Sequence, residues 1–373
     1  MNNLELIKDK YGYRLNHLEH RHHADGSKKW HALRRAYIGG SDSAALANNF
    51  AHEIGISYVT TYASPLTLYR AKTQEQPVQV ESEAIARGKR REGGLRAIAA
   101  RTIKAELGKK VKVRRQAYTY LATLEDINLG ANLDGIVIES DGSLAGLEIK
   151  TGNVWVAKEW ANDGLPANYY CQVQHYMMVT GLRTFYLLAE IGDSLLLREV
   201  PYNEAFCAKL MYEYKAFQEA LVYEQPPMPL GLACENTVLT QAQTSSKYIQ
   251  ADDLLNIVEQ RNALDEQIKL LEAQKDKLDA QLKLAIGEHE GLAVGGYLIS
   301  YKQSKASISF DSKKFALEHE DLYQRYCSSK VGSRRFLVKY EQSKPSITGD
   351  NKQFALENEE LYQRYCQEFQ FMP

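Results

Sequence analysis

Apolar residues Ile85, Leu95, Ile98, Ala99, Ile103 and Leu107 recur at near-helical spacing, so residues 81–107 are expected to form a long amphipathic helix, weakened by Gly93 and Gly94. The period then changes. Residues 111–121, 131–138 (ANLDGIVI) and 144–151 (LAGLEIKT) have strand character, and the turn ESDGS joins the last two into a hairpin. A helix over 167–180 (ANYYCQVQHYMMVT), closed by Gly181, is followed by strands near 184–190 and 195–200 and a helix over 203–223. These elements make an α/β core.

Past residue 225 the pattern shifts to proline and small polar residues (QPPMPL, QTSSK), which reads as a linker over 226–250 after a catalytic domain over 1–225. Within 251–290, Leu254, Ile268 and Leu282 share one heptad column and Ile257, Leu264, Leu271 and Leu278 another. Arg261 and Lys275 interrupt the first column, so a charged amphipathic helix is expected rather than a coiled coil. The remainder, 291–373, holds a duplication: QSKASISFDSKKFALEHEDLYQRYC at 303–327 recurs at 342–366 with 18 of 25 positions identical and a period of 39. Each copy reads as a strand leading into a short helix, and two copies are too few for a solenoid, so this tail is expected to be a small docking module.

A chain of 373 residues is long enough for such a core plus an appendage. No apolar run approaches the roughly 20 residues that span a bilayer, and MNNLELIKDK lacks a signal-peptide layout, so a cytoplasmic location is expected. The five cysteines lack a CxxC pair and are read as reduced thiols. A net charge of −1 conceals a strong asymmetry: residues 87–115 carry twelve Lys or Arg against two Glu, whereas 251–290 carry ten acids and five bases. A polyanion suits the first segment, although a solvated helix face accounts for the charges alone.

Hydrolysing a phosphodiester near neutral pH calls for a cation held by converging carboxylates and for a polarised water. Glu148 and Lys150, two apart on one strand, share a face. Asp134, one strand back, lies beside Glu148 if the hairpin register pairs their ends. Asp134, Glu148 and the carbonyl of Ile149 are then candidate ligands for Mg²⁺, or for Mn²⁺ in its place, with Lys150 orienting the attacking water. A single E-x-K on a surface hairpin is common, but the strands LDGIVI and LAGLEIK are apolar enough to be central, where charges are rarely kept without a function. Gln172 and Tyr176, four apart, share a face of the 167–180 helix and could contact a phosphate. Glu92 is a further carboxylate on the basic helix, whose Arg87, Lys89, Arg90, Arg91 and Arg96 suit a DNA backbone.

Over roughly residues 30–225, five segments in order (WHALRRAYIGGSDSAAL, RGKRREGGLRAIAA, NLDGIV, GLEIKT and QVQHYMMVTG) resemble the YqaJ-type phage recombinase nucleases, which include the exonuclease of phage lambda and belong to the PD-(D/E)XK superfamily. The resemblance implies a restriction-endonuclease-like α/β core, a central mixed sheet flanked by helices. It also implies metal ligation by Asp134 and Glu148 with Glu92 in support, Lys150 as the catalytic lysine and Gln172 at the reacting phosphate. Arg34 and Ser41 match positions that bind the 5′-phosphate of the digested strand, although Ser41 ahead of DSAALA also reads as a helix N-cap. Asn132 stands where the lambda enzyme has a serine, so that phosphate contact comes from Asn132 or is lost.

The function so implied is a Mg²⁺-dependent 5′ to 3′ exonuclease on linear double-stranded DNA that leaves 3′ single strands for recombination. A structure-dependent endonuclease of the same fold and a non-cleaving recombination scaffold are the alternatives. Family likeness further implies a ring-shaped homotrimer, and the tail is read as a dock for a single-strand annealing recombinase or as added stability.

Overall fold

The computed structural model describes residues 17–20, 28–74, 82–116, 118–240, 249, 251–305, 309–328 and 338. The second repeat copy at 342–366 and most of 241–250 lie outside the described residues. The chain divides into two compact units, Met1–Thr244 and Ser245–Pro373.

The first unit is a mixed α/β fold. Helix α1 (Lys28–Arg35) leads through the short strand β2 (Ile38–Gly39) into α2 (Gly40–Ala47), then α3 (Pro65–Thr73) and the 25-residue α4 (Glu83–Leu107); β1 is His17–His20. Ser82 caps α4 and Gly108 closes it in the left-handed conformation. The helix passes unbroken through Gly93 and Gly94, because the packing of Leu95, Ala99 and Ile103 just beyond them outweighs the low helix propensity of two glycines.

Five strands then form the central sheet in the order β3 (Lys112–Arg115), β6 (Gly135–Ile138), β7 (Leu144–Gly152), β8 (Thr184–Ile191), β9 (Ser194–Pro201). Strands β6 and β7 pair antiparallel, whereas β7 and β8 run parallel because helix α5 (Ala167–Thr180) carries the chain back between them. Helix α6 (Glu204–Val222) follows. Side chains alternate across β7: Ala145, Leu147 and Ile149 pack with Leu95, Ala99 and Ile103 of α4 on one face. Leu144 joins the larger core, which includes Val173 and Met177 of α5, on the other. Gly146 is required on that second face, since a Cβ there would stand 2.2 Å from the Phe185 ring.

Two single strands expected from sequence are each two. Residues 111–121 divide into β3 and β4 (Tyr118–Leu124), and 131–138 divides between β5 (Ile127–Asn132) and β6. Strands β4 and β5 belong to a second, four-stranded sheet ordered β1-β4-β5-β2. At 131–138 the chain stays largely buried as it steps from one sheet to the next, so hydrophobicity does not mark the break there. Leu133 and Asp134 occupy the step.

Residues 226–240, expected as linker, belong to this first unit. Leu232 and Glu235 are buried, and the Glu235 carboxylate accepts from the backbone N–H of Leu230 and Leu232, satisfying a loop that composition alone marks as free.

In the second unit, α7 (Leu255–Ile286) is a 32-residue helix followed by a hairpin of β10 (Gly291–Val294) and β11 (Tyr297–Ser300). The first repeat copy forms two short helices, α8 (Ser312–Glu318) and α9 (Glu320–Tyr326). The expected strand before them is not regular structure at 301–305 or 309–310, and His319 leaves helical geometry at φ −139°, which divides the expected single helix.

Candidate active site

Strand β7 presents Glu148 and Lys150 on the face opposite α4, toward α5. Glu148 is 4 % exposed, and its Oε1 accepts from Lys150 Nζ at 2.7 Å and from Gln172 Nε2 at 2.8 Å. Lys150 Nζ also donates to Gln172 Oε1 at 2.8 Å and lies 4.8 Å from the centre of the Tyr169 ring. Gln172 Nε2 in turn donates to Tyr176 Oη at 2.7 Å. Residues 169, 172 and 176 recur at helical spacing, so one face of α5 supplies all three. Burial disfavours the Lys150 ammonium, but Glu148 beside it and Asp134 nearby hold its pKa above the ordinary lysine value. It stays charged.

Asp134 reaches the group from the step between sheets. Its N–H donates to Leu147 O at 3.2 Å, and its Oδ2 accepts from the Ile149 N–H at 2.8 Å, fastening the carboxylate to β7 beside Glu148. Burial first, and then the charges of Glu148 and Glu92, push the Asp134 carboxyl well above the usual range. Glu148 Oε2 is buried without a hydrogen-bond partner. A buried carboxylate oxygen without a partner, beside a second acid whose ionisation it opposes, is a strain that a bound cation would relieve, so the donor set fits a hard divalent ion.

Glu92 stands apart from that pair. It is 37 % exposed and ion-paired with Arg96, whose Nε donates to Asp134 O at 2.9 Å. Among the described residues no three His, Cys, Asp or Glu side chains meet as a metal-binding group. Arg90 and Arg91, expected toward a DNA backbone, are paired with Glu83 and Glu190. Asn132 accepts from Thr119 Oγ1 at 2.6 Å across the β4–β5 pair.

Arg34 and Ser41 form a second cluster. Arg34 Nη2 donates to Ser41 Oγ at 2.5 Å and to Asp42 Oδ1 at 3.2 Å. Ser41 is not the cap of α2; Gly39 is, and Asp42 Oδ2 accepts its N–H at 2.9 Å, because the carboxylate three residues on closes the turn from inside. Lys72 Nζ binds the same Asp42 oxygen at 2.8 Å. Burial opposes Asp42 ionisation, but Lys72 and Arg34 hold its pKa below the usual carboxylate value. Gly40 joins the two clusters: a Cβ there would stand 2.3 Å from the Tyr176 ring and 3.0 Å from Gln172 Cγ. Sequence reasoning passed over Tyr169, Asp42 and Lys72. Tyr169 was findable three residues before Gln172, whereas Lys72 meets Asp42 only through the tertiary fold.

No helix among the described residues is long and apolar enough to cross a membrane. The described cysteines are free thiols.

Comparison with known proteins is consistent with these motifs. The chain is 25 % identical over 322 residues to a Bacillus subtilis (strain 168) protein described as uncharacterized protein YqaJ, covering 83 % of this chain and 92 % of that one. Solved structures with partial likeness include an alkaline exonuclease from Laribacter hongkongensis (20 % identity, TM-score 0.38, 53 % of this chain and 94 % of that one). Another is a phage-related exonuclease from Haemophilus somnus 129PT (11 %, TM-score 0.35, 52 % and 98 %). Residues 29–183, which hold every residue of both clusters but stop before the last two strands of the central sheet, match the family described as YqaJ-like viral recombinase domain.

Proposed function

We propose that the chain is a divalent-metal-dependent DNA nuclease that digests linear duplex from 5′ ends and leaves 3′ single strands for recombination. The observation that carries this reading is the convergence of Asp134, Glu148, Lys150 and Gln172, in which Glu148 Oε2 lacks a partner and Asp134 is pushed toward its neutral form by burial first and then by its acidic neighbours. Asp134 and Glu148 would hold Mg²⁺ or Mn²⁺, with the charge of Glu92 adding to the local field. Bound there, such an ion supplies charge neutralisation at the phosphate oxygens and a water of lowered pKa.

The chain's own groups do the remainder. Lys150 keeps its charge and is aimed by Glu148 and Gln172, so its ammonium can orient an attacking water and stabilise negative charge developing on the phosphate. Gln172, held by Tyr176, fixes the Lys150 rotamer and the Glu148 carboxylate beside the place where the phosphate would react. Arg34 and Ser41, adjacent through Gly40, suit the terminal 5′-phosphate and so favour digestion from an end.

The test is to incubate the full chain with 5′-phosphorylated linear duplex and with closed circular duplex, in Mg²⁺ and in EDTA, beside Glu148→Ala and Lys150→Ala. Linear duplex is expected to shorten only with Mg²⁺, and Lys150→Ala to slow it about 10²–10³-fold, the usual effect of removing one group that stabilises transition-state charge. Cleavage in EDTA, or full activity in both variants, overturns the mechanism. Equal attack on closed circles reassigns the protein as an endonuclease.

A further inference from the structure

We propose that Lys72 is the positioning residue of the Arg34–Ser41 pocket, setting its geometry and net charge for a terminal phosphate monoester; this deepens the end-directed nuclease reading and rests on it. An ammonium has three N–H donors. Those of Lys72 meet three acceptors: the carbonyl of Arg34 at 2.6 Å, the carbonyl of Tyr37 at 2.5 Å and Asp42 Oδ2 at 2.8 Å. All three donors point into the protein, and the Lys72 side chain is 7 % exposed, so Lys72 is placed to hold structure rather than to touch a ligand.

What it holds decides its role. The Arg34 carbonyl belongs to the last turn of α1, Tyr37 precedes β2, and Asp42 lies in the first turn of α2. One side chain on α3 therefore ties together the segment that carries the Arg34 guanidinium and the segment that carries Ser41 Oγ. Asp42 passes the constraint on, since its second oxygen receives Arg34 Nη2 at 3.2 Å while that same nitrogen donates to Ser41 at 2.5 Å. Arg34 is the member that reaches solvent, at 28 % exposed against 10 % for Asp42.

Charge acts in the same direction. Arg34, Lys72 and Asp42 sum to +1. Without Lys72 the remaining pair sums to zero, and Asp42 is left to neutralise the only cation that faces solvent within this trio. A phosphate monoester dianion is drawn to the first arrangement and not to the second. The pocket also borders the nuclease centre, since Gly40 beside Ser41 lies against Tyr176 and Gln172.

The experiment compares kcat/KM on linear duplexes with 5′-phosphoryl and 5′-hydroxyl ends for the full chain, Lys72→Met, Lys72→Arg, Arg34→Ala and the Lys72→Met/Arg34→Ala pair. The unsubstituted protein is expected to prefer the phosphorylated end. Lys72→Met should lower that preference at least tenfold, mostly through KM, and should lower it no further once Arg34 is gone. Lys72→Arg keeps the charge but cannot converge three donors on one point, so it should lower the preference less. A purely structural role would reduce thermal stability and leave the ratio of the two ends unmoved. An unsubstituted protein with no preference refutes the phosphate pocket itself. A preference that Lys72→Met leaves intact overturns the role of Lys72 alone. Should Lys72→Met not fold, an unchanged ratio in Lys72→Arg overturns it equally.

Discussion

Asp134 is fastened to β7 by two hydrogen bonds yet is surrounded by acids, and the two facts pull its carboxylate in opposite directions. Because burial and then Glu148 and Glu92 raise its pKa in the folded chain, ionising it opposes folding; the penalty is absent below the unfolded value, grows as pH rises from there and levels off above the folded one. Asp134→Asn is therefore expected to raise the melting temperature of EDTA-treated protein at pH 7–8, by about 2–4 °C for each kcal/mol of repulsion relieved, with no gain near pH 4. It should also abolish cleavage and the stabilisation that added Mg²⁺ confers on the unsubstituted chain. Calorimetry in EDTA and in Mg²⁺ measures both, and a variant that melts below the parent at pH 8 would contradict the repulsion argument. At this scale the sequence shows Glu148 and Lys150 on one face, since strand alternation alone puts them there. It does not show that Arg96 spans from Glu92 to the Asp134 carbonyl, because that bond joins a helix to a step between sheets.

Between elements, the closest approach that matters to the site is that of α2 to α5. Gly40 permits it, and the space is already filled by the Tyr176 ring. Gly40→Ala must therefore displace Tyr176 or Gln172 or part the helices, an overpacking that typically costs about 1–3 kcal/mol. Since Gln172 orients both Glu148 and Lys150, cleavage should fall by about 10²-fold, the usual consequence of misplacing a reacting geometry by about 1 Å. A Gly40→Ala protein with parental kcat, read beside its melting curve, would show that α2 does not set the position of Gln172. The same scale explains why two expected strands are each two. A continuous apolar run such as ANLDGIVI records burial and not which sheet is being entered, so the turn that brings Asp134 to Glu148 leaves no mark in the pattern.

Across the first unit, His175 ties three layers at full burial: Nδ1 meets Tyr214 Oη of α6 at 2.8 Å and Nε2 meets Gly130 O of β5 at 3.0 Å. Burial lowers its pKa from 6.5 to about 4, so the imidazole is neutral in the folded chain. Here the unfolded state binds the extra proton; stability contributed by the neutral ring is present above pH 6.5 and is lost as pH falls toward 4. The shift corresponds to about 3 kcal/mol over that window, at about 1.4 kcal/mol per pKa unit. Urea titrations at pH 7 and pH 4.5 should differ by much of that amount, and His175→Gln should flatten the difference; an undiminished pH slope in the variant would assign it to other groups. In the second unit the picture is simpler: the heptad-spaced Leu264, Ile268, Leu271 and Leu278 of α7 are exposed, as an interrupted seam allows.

Local periodicity and chemistry were enough to determine the long basic helix, the hairpin strand bearing Glu148 and Lys150, and the α5 face bearing Gln172 and Tyr176. Each depends on spacing within one element, which a linear chain records. Only the tertiary structure decided that Asp134 turns in from between two sheets, that residues 226–240 belong to the core unit, and that Lys72 clamps Arg34, Tyr37 and Asp42. Those depend on which distant segments share a boundary. Lys72 is thirty residues from Asp42 and thirty-eight from Arg34, and nothing in its own neighbourhood requires a partner until α3 is packed against the turn into α2.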